Sequence, residues 1–454
     1  MADSDKSPAR RGKRAMKLAG MTLSVAGQFA RGRLAGAVLP RGAARQARRQ
    51  AAAIAGQRIT RTLGELKGAA MKVGQMASMA RDVLPEELSS ALTALQRDAP
   101  PMDYPVIEAQ IEREFERPVE LLFDHFEREP FASASIGQVH RARTDDGREV
   151  VVKVQYPGVD EAVDSDMLQL KLALRASGLL RVNRAALDAT FEEIRVRMHE
   201  ELDYCNEADN VRAFHRFHRR HPFVVVPQVV GERSAQRVLT LTYEPGDPPL
   251  SLSELGYTAA ERDLCAEHLW RALDAQAFEL GRIHADPNPA NFAFRRDGTV
   301  VMYDFGCTKE LAPEVLPNYV ELMRLGIARD YAAVDAHLVR MGMRDPEQGP
   351  PPFELYERVR DFALPFIHGR PDIDFSQLRL DREALSSIMP VMFQEMRRFQ
   401  PASELVFFER AVGGHCAMLR KMGATVPVQR ILAERVPEVA ELLEIDAHPG
   451  VASG

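Results

Sequence analysis

The strongest constraint on the fold is a pair of polar stretches that are separated by a predicted hairpin. HADPNPANF contains Asp286 and, five residues later, Asn291, and the stretch YDFG then places Asp304 thirteen residues further along. The intervening sequence FAFRRDGTVVMYDF predicts two strands that turn at Asp297-Gly298, because Asp-Gly favours a tight turn. Such a hairpin would bring Asn291 and Asp304 to the same end, where amide and carboxylate oxygens suit a divalent cation.

A second constraint is a lysine within an apolar strand. The stretch EVVVKVQ places Lys153 after three valines, and the chain has only nine lysines among its 59 basic residues. A charge in such a strand must be paired or used. The position matches the phosphate-holding lysine of the kinase pattern V-A-I-K. The alternative is a lysine at a strand end that reaches solvent before Tyr156.

The stretch around Asp286 and Asn291 matches the pattern H-x-D-x-x-x-x-N. Phosphoryl transfer needs positioning and charge neutralisation more than covalent chemistry. We therefore expect Asp286 to act as a base or orienting carboxylate, and the Asn291 amide oxygen to bind magnesium. Asp304 would link that metal to the phosphates. A D-F-G alone is a weak signal, but its combination with the first pattern is specific; the alternative is a loop without catalytic function.

The segment before Lys153 departs from ordinary kinases. They carry G-x-G-x-x-G there, whereas this chain has ASASIGQ, from Ala132 to Gln138. Small side chains still permit close backbone approach, but alanine is conformationally less permissive than glycine. We therefore expect a stiffer cover over the phosphates and an altered nucleotide pose.

The order of predicted elements divides the chain into five parts. A basic arm (1–55) precedes a helical extension (56–128), a lobe of small antiparallel sheet with inserted helices (129–246), a helical lobe that contains the hairpin (247–445) and a tail (446–454). This order predicts an α+β fold of two lobes behind a helical extension.

The charge is distributed unevenly along the chain. Residues 1–60 hold thirteen Lys and Arg against two Asp, which is +11 and leaves −17 for the rest of a chain with net charge −6. Such an arm suggests contact with an anionic surface such as lipid headgroups or nucleic acid; the alternative is a solvated tail. The apolar stretch from Leu18 to Ala30 is too short to span a bilayer, so we expect no transmembrane segment. Four cysteines without paired spacing fit a reducing cytoplasm.

Together these stretches resemble the UbiB/AarF/ADCK-type atypical kinases, which have a bilobal protein-kinase-like fold. KVGQ resembles the family's K-x-G-Q signature, and FASASIGQVH resembles its alanine-rich loop. EELDYCNEADN resembles its E-x-D segment followed by a lysine-pairing Glu, and HADPNPANF and DFG complete the set. The resemblance covers about Leu63 to Gly306, with the motifs in the family's order.

The resemblance implies a role for each matching residue. Lys153 pairs with Glu207, Asp286 is catalytic, and Asn291 and Asp304 hold Mg²⁺. The residues that it implies for nucleotide binding are Ala132, Ser133, Ala134, Ser135, Gly137, Gln138, Lys153, Thr242 and Tyr243. Ser133 replaces the loop's usual second alanine, and Thr242 replaces a frequent acid of the hinge, where adenine is held by main chain.

The resemblance also implies a gating element. The residues that it assigns to this element are Lys72, Gly74, Gln75, Glu201 and Asp203. The K-x-G-Q helix would face the E-x-D pair and lie across the mouth of the active site, where a peptide would otherwise enter. The spacing is compatible, since residues at i and i+3 share a helix face; a plain buried helix is the alternative.

The implied function is that of an Mg-ATP-dependent atypical kinase or ATPase with ATP or ADP and Mg²⁺ as cofactors. It would support isoprenoid-quinone (ubiquinone) biosynthesis or lipid homeostasis. The expected partners are an anionic membrane surface, lipid or quinone precursors and quinone-biosynthesis enzymes, and not nucleic acid. The expected location is cytoplasmic or peripheral at the inner membrane. The alternatives are a nucleotide-binding pseudokinase scaffold and a small-molecule phosphotransferase.

Overall fold

The computed structural model describes residues 101–133, 136–160, 163–164, 167–168, 171–172, 184–367, 372–377, 395, 398–399 and 403–436. The described residues form two compact units. Unit 1 comprises those up to Asp209 together with Val229–Tyr243, and unit 2 comprises Asn210–Gln228 and those from Glu244 onward. Residues 210–228 thus group with unit 2, whereas the sequence analysis counted them in the first lobe.

Helices and strands alternate along both units, which confirms the α+β class. The helices are α1 (Tyr104–Phe115), α2 (Arg184–Glu201), α3 (Tyr204–His218), α4 (Ala259–Ala275), α5 (Val315–Ile327), α6 (Tyr331–Arg340), α7 (Phe353–Ile367), α8 (Ser403–Met422) and α9 (Val428–Arg435). The strands are β1 (His125–Phe126), β2 (Ala132–Ser133), β3 (Gly137–Arg143), β4 (Glu149–Gln155), β5 (Val224–Val225), β6 (Val238–Thr242), β7 (Arg282–His284), β8 (Phe292–Phe294), β9 (Val300–Met302), β10 (Thr308–Glu310), β11 (Ile373–Asp374) and β12 (Thr425–Val426).

Unit 1 is built around an antiparallel sheet with the strand order β1-β3-β4-β6, and β2 pairs with β3. The β3–β4 hairpin turns through Gly147, whose φ of 85° favours glycine. Along β4, Val150, Val152 and Val154 are buried. Because side chains alternate across a strand, Lys153 lies on the opposite face, where its cross-strand partners are Val139 and Leu239.

Unit 2 contains the hairpin that the sequence predicted. Strands β8 and β9 pair antiparallel, and the turn passes through Gly298 with a φ of 84°. The Tyr303 N–H donates to the carbonyl of Asn291 at 3.0 Å and so extends the pairing beyond the strands. Asn291 and Asp304 therefore lie at the same end of the hairpin, as their spacing predicted.

Helix α4 supports this hairpin. It begins with a capping box between Thr258 and Glu261 and continues into a π-helical turn, Gln276–Leu280, that Gly281 ends with a φ of 65°. The turn leads into β7, which pairs with β10 on the far side of the D-F-G stretch. The backbone therefore enters and leaves the candidate site through one small sheet.

Unit 2 also contains two very short strand pairings and a helix that follows a proline. The stretch FVVVPQVV forms only the two-residue strand β5, which pairs in parallel with β9; Pro227 cannot donate to a longer ladder. Helix α5 begins at Val315, two residues after Pro313. The described residues beyond 310 are mostly helical, but they also include the short β11–β12 pair.

Candidate active site

Lys153 forms the predicted ion pair with Glu207. Its Nζ lies 2.9 Å from Glu207 Oε1 and 2.8 Å from Oε2, with side chains that are 15% and 3% exposed. The ammonium group also lies 5.0 Å from the centre of the Tyr204 ring, a cation–π contact. A lysine held by two carboxylate oxygens on an inner strand can present its charge to phosphate in a fixed position.

The start of helix α3 explains why Glu207 reaches the lysine. Asp203 Oδ1 accepts hydrogen bonds from the backbone N–H groups of Cys205 and Asn206 at 3.0 and 3.1 Å. An aspartate that binds these N–H groups caps the helix, and Glu207 lies in the first turn. Asp203 is exposed and Glu201 is half-buried, but the K-x-G-Q residues that they would face (Lys72, Gly74 and Gln75) lie outside the described residues.

The alanine-rich loop is described in part. Ala132 and Ser133 pair with Val139 and Gln138 in the sheet, whereas Ala134 and Ser135 lie outside the described residues. At Gly137 an added Cβ would lie 2.2 Å from the Val154 carbonyl oxygen. This glycine is therefore required for close strand packing, whatever its role toward a nucleotide.

Gln138 has a structural function that sequence analysis missed. Its fully buried side chain accepts from Met102 N–H at 2.9 Å and donates to the Met102 carbonyl at 3.3 Å. Its Nε2 also lies 2.9 Å from His140 Nε2. The amide thus ties β3 to the segment before α1, and nucleotide contact by Gln138 stays a prediction.

The predicted hinge follows β6. Thr242 pairs with Val150, and the Tyr243 N–H donates to the Glu149 carbonyl at 2.9 Å. The Arg141 guanidinium lies 4.4 Å from the ring centre of Tyr243 and donates to its hydroxyl at 2.7 Å. It also lies 4.4 Å from the ring centre of Phe131, next to the alanine-rich loop. Arg141 therefore fixes the predicted hinge against the base of that loop.

In unit 2 the two residues of the predicted catalytic loop (284–292), Asp286 and Asn291, contact each other directly. The Asn291 Nδ2 group donates to Asp286 Oδ2 at 2.9 Å and to the Asp286 carbonyl at 3.2 Å. Because the Nδ2 group faces Asp286, the amide oxygen is the atom that can bind a cation. Asn288 Oδ1 accepts from Ala290 N–H and starts the single 3₁₀ turn that carries Asn291. The spacing between the two predicted residues is thus set by hydrogen bonds and not by the strands alone.

The D-F-G stretch is held through its backbone. Asp304 Oδ1 accepts from Gly306 N–H at 3.0 Å, which tightens the turn. Phe305 is fully buried, and its ring lies 5.0 Å from that of Phe214 and 5.3 Å from that of His284. The motif's phenylalanine thus anchors the segment that presents the Asp304 carboxylate.

Asn210 is a site residue that sequence analysis missed. Its buried side chain donates from Nδ2 to the Phe305 carbonyl at 3.0 Å and accepts from Arg282 at 3.3 Å. It lies on α3, three residues after Glu207. Its spacing of three residues from the lysine-pairing glutamate, one turn along the same helix, was the available sequence signal.

His284 supplies a second clamp on the same segment. Its Nε2 donates to the carbonyl of Asp304, and its own N–H donates to Gln276 Oε1 at 3.0 Å. Burial lowers the pKa of His284, although the negative charges of Asp286 and Asp304 act to raise it. The ring is therefore neutral, with its proton on Nε2. Gln276 occupies the π-helical turn, a distortion that is frequent at functional sites.

The donor set at this end of the hairpin fits magnesium. Asn291 and Asp304 offer amide and carboxylate oxygens, which are hard ligands that leave room for water and phosphate. Among the described residues no group of three or more His, Cys, Asp and Glu could hold a metal.

The chain matches the family model of the ABC1 atypical kinase-like domain over residues 94–338. It is 33% identical over 279 residues to the Arabidopsis thaliana protein "ACTIVITY OF BC1 COMPLEX KINASE 7, chloroplastic", which covers 61% of this chain and 40% of that protein. It is 29% identical over 383 residues to "Atypical kinase COQ8, mitochondrial" of Saccharomyces cerevisiae, at 83% and 75% coverage.

A solved structure agrees with the family match. It is described as "The complex structure of Rv3197-erythromycin from Mycobacterium tuberculosis", and its TM-score is 0.61 at 29% identity over 85% of this chain and 95% of that chain. Within the described residues, no helix has the length and apolar character that crossing a membrane requires. The family model and this solved structure together confirm the kinase-like fold. The chain belongs to the ABC1 atypical kinase-like family, the UbiB/AarF/ADCK group that its motifs resemble.

Proposed function

We propose that this protein is an Mg-ATP-dependent phosphotransferase or ATPase. The observation that carries the proposal is the bond between Asn291 Nδ2 and Asp286 Oδ2 at 2.9 Å. It occupies the Nδ2 group of Asn291, so the amide oxygen is the atom that would bind the metal, beside the Asp286 carboxylate. This arrangement supplies what phosphoryl transfer needs, an oriented acid–base group next to a cation site.

Each residue then has a separate task. Lys153, oriented by Glu207, neutralises phosphate oxygens, and Asp286 orients the attacking hydroxyl or water and accepts its proton. Asn291 and Asp304 hold the Mg²⁺, which supplies charge neutralisation on the phosphates when it is bound. The neutral His284 keeps the Asp304 backbone in place without adding positive charge beside the metal ligand.

We extend the proposal to the biological setting. The basic arm of residues 1–60, with a charge of +11, suits an anionic membrane surface. The substrates would be lipid or quinone precursors, in support of isoprenoid-quinone (ubiquinone) biosynthesis or lipid homeostasis, with quinone-biosynthesis enzymes as partners. The protein would then work in the cytoplasm or peripherally at an inner membrane. The family match and the names of the relatives as atypical kinases support a kinase-like activity more directly than they support this setting.

The test is ADP release from Mg-ATP by wild-type protein and by Asp304→Asn, with and without anionic liposomes. We expect turnover that requires Asp304 and rises on liposomes. Neutral liposomes of the same size are the control, because they lack the charge that the arm would recognise. Tight nucleotide binding without turnover under every condition would refute the proposal in favour of a pseudokinase scaffold. Turnover by Asp304→Asn equal to wild type would refute the metal site.

A further inference from the structure

Helix α8 touches the catalytic loop at a point where a side chain does not fit. A Cβ added at Gly414 would lie 2.1 Å from Pro287 Cγ and 2.5 Å from Pro287 Cβ. Both distances are shorter than any normal contact between carbon atoms. Pro287 directly follows Asp286, so the proline ring is pressed against the helix backbone one residue from the proposed catalytic carboxylate.

A glycine at this position weakens the helix itself. Glycine in a helix interior is less favourable than alanine because it has more conformational freedom to lose. The neighbouring Gly413 provides a direct contrast, since it is exposed and no atom lies within 4 Å of a Cβ added there. Only Gly414 is therefore explained by contact with the loop.

The rest of α8 cannot easily move aside. Ala411, His415 and Met418 are buried on the same side of the helix. The His415 ring meets the Phe292 ring edge-on at 5.4 Å, and its Nδ1 donates to the Ala411 carbonyl at 2.8 Å. A side chain at position 414 would therefore displace the loop and not the helix.

We propose that Gly414 is a positioning residue, which lets Pro287 pack on α8 and thereby holds Asp286 and Asn291 at their working separation. The inference rests on the proposed phosphotransferase or ATPase function. Gly414 itself touches neither nucleotide nor metal in this account. It acts by setting the distance between Pro287 and the backbone of α8.

The test compares Gly414→Ala with the matched control Gly413→Ala. Three measurements are made on both: hydrogen exchange of the peptide covering residues 284–294, ADP release from Mg-ATP, and the affinity for ATP without Mg²⁺. Gly414→Ala should raise loop exchange and lower kcat about 100-fold, as expected for a misplaced reacting group. The affinity for ATP without Mg²⁺ should stay within about twofold, because Lys153 and Glu207 are unaffected. Gly413→Ala should match wild type in all three.

A second pair of variants tests the contact itself. Gly414→Ala is introduced into a Pro287→Gly background, which removes the three proline side-chain atoms that the new Cβ would meet. The added alanine should then lower kcat less than about threefold, whereas additive effects would contradict a direct contact. If Gly414→Ala does not fold alone, Pro287→Ala, which removes Cγ from the contact, should raise loop exchange in its place.

The outcomes separate this inference from the proposed function. Equal exchange and equal kcat for the two alanine variants would overturn the inference, and so would raised loop exchange with wild-type kcat. If wild-type protein shows no turnover, the proposed function fails and the exchange measurement alone decides. Loop exchange that rises in Gly414→Ala but not in Gly413→Ala would then still support the contact, and its absence would refute it.

Discussion

Lys153 in unit 1 and Asp304 in unit 2 carry complementary parts of the proposed chemistry, and the protein holds them in different ways. The lysine is fixed through charge, by a glutamate that is 54 residues away in sequence. The aspartate is fixed through its backbone, by neutral donors on Asn210 and His284 and by the burial of Phe305. Loss of the one charged partner should therefore remove the orientation of the lysine. Loss of one neutral contact should weaken the orientation of the aspartate only in part, because the other contacts remain.

The largest effect should follow loss of the glutamate. Glu207→Ala leaves a lysine that is only 15% exposed without its carboxylate, and removal of one partner from a buried pair costs about 3 kcal/mol. We expect that loss of stability in denaturant unfolding, together with a decrease in turnover of about 100-fold or more.

Two controls sharpen this prediction. Glu192→Ala removes an exposed partner of Arg195 and should leave stability close to wild type, because exposed ion pairs contribute little. The double variant Lys153→Met/Glu207→Leu should regain most of the stability, because an apolar pair can replace a buried ion pair. It should not regain turnover. A double variant with wild-type turnover would show that the charge pair has no catalytic role.

An intermediate effect should follow loss of the donor to Phe305. Asn210→Ala leaves the Phe305 carbonyl without this hydrogen bond, at a cost of about 1–3 kcal/mol, and loosens the segment that presents Asp304. We expect turnover to fall about tenfold to 100-fold. Asn210→Asp should be at least as harmful, because it replaces the donor with a carboxylate facing the carbonyl oxygen.

Asn206→Ala is the matched control, since this asparagine lies on the same helix and is exposed. It should leave turnover and stability close to wild type. Equal losses for Asn206→Ala and Asn210→Ala would show that the helix, and not the bond to Phe305, determines the result.

The smallest effect at neutral pH should come from substitution of His415, the buried histidine of α8, because its effect on the free energy of unfolding depends on pH. Burial lowers the pKa of His415 to about 4, which is below its ordinary value of 6.5. Between these two pH values the histidine is protonated in the unfolded chain but not in the folded chain. The free energy of unfolding therefore falls as the pH decreases from 6.5 toward 4. Between pH 7 and 4.5 this histidine should account for about 2–3 kcal/mol of the free energy of unfolding.

Other buried titratable groups also change how stability depends on pH, and the direction of each follows from its pKa shift. His218, with a pKa lowered to about 3 by burial, adds to the loss. Asp274, whose pKa burial raises to about 6, opposes it, because the folded chain binds its proton first as the pH falls. Unfolding curves of wild type and His415→Gln at the two pH values check the prediction. An unchanged pH dependence in the variant would contradict it.

The sequence predicted the hairpin and its residues well because the signals are local. The Asp-Gly turn and the spacing of Asn291 and Asp304 depend on the chain between them. Two of the supports were missed because they depend on contacts between residues far apart in sequence: Asn210 with Phe305, and Gly414 with Pro287. Gln138 shows how a motif residue can also have a structural contact that the sequence does not reveal, since its strand position buries it against Met102, while its contact with a nucleotide stays a prediction.

The comparison between the two units leads to one decisive measurement, the affinity for ATP by calorimetry with Mg²⁺ and after its removal with EDTA. We predict that removal of Mg²⁺ weakens binding to wild-type protein at least about tenfold, since Asn291 and Asp304 would hold the metal that neutralises the phosphates. In Asp304→Asn the affinity should be nearly independent of Mg²⁺, and in Lys153→Met it should be weaker in both conditions. An equal Mg²⁺ dependence in wild type and Asp304→Asn would contradict the proposed metal site and, with it, the central claim.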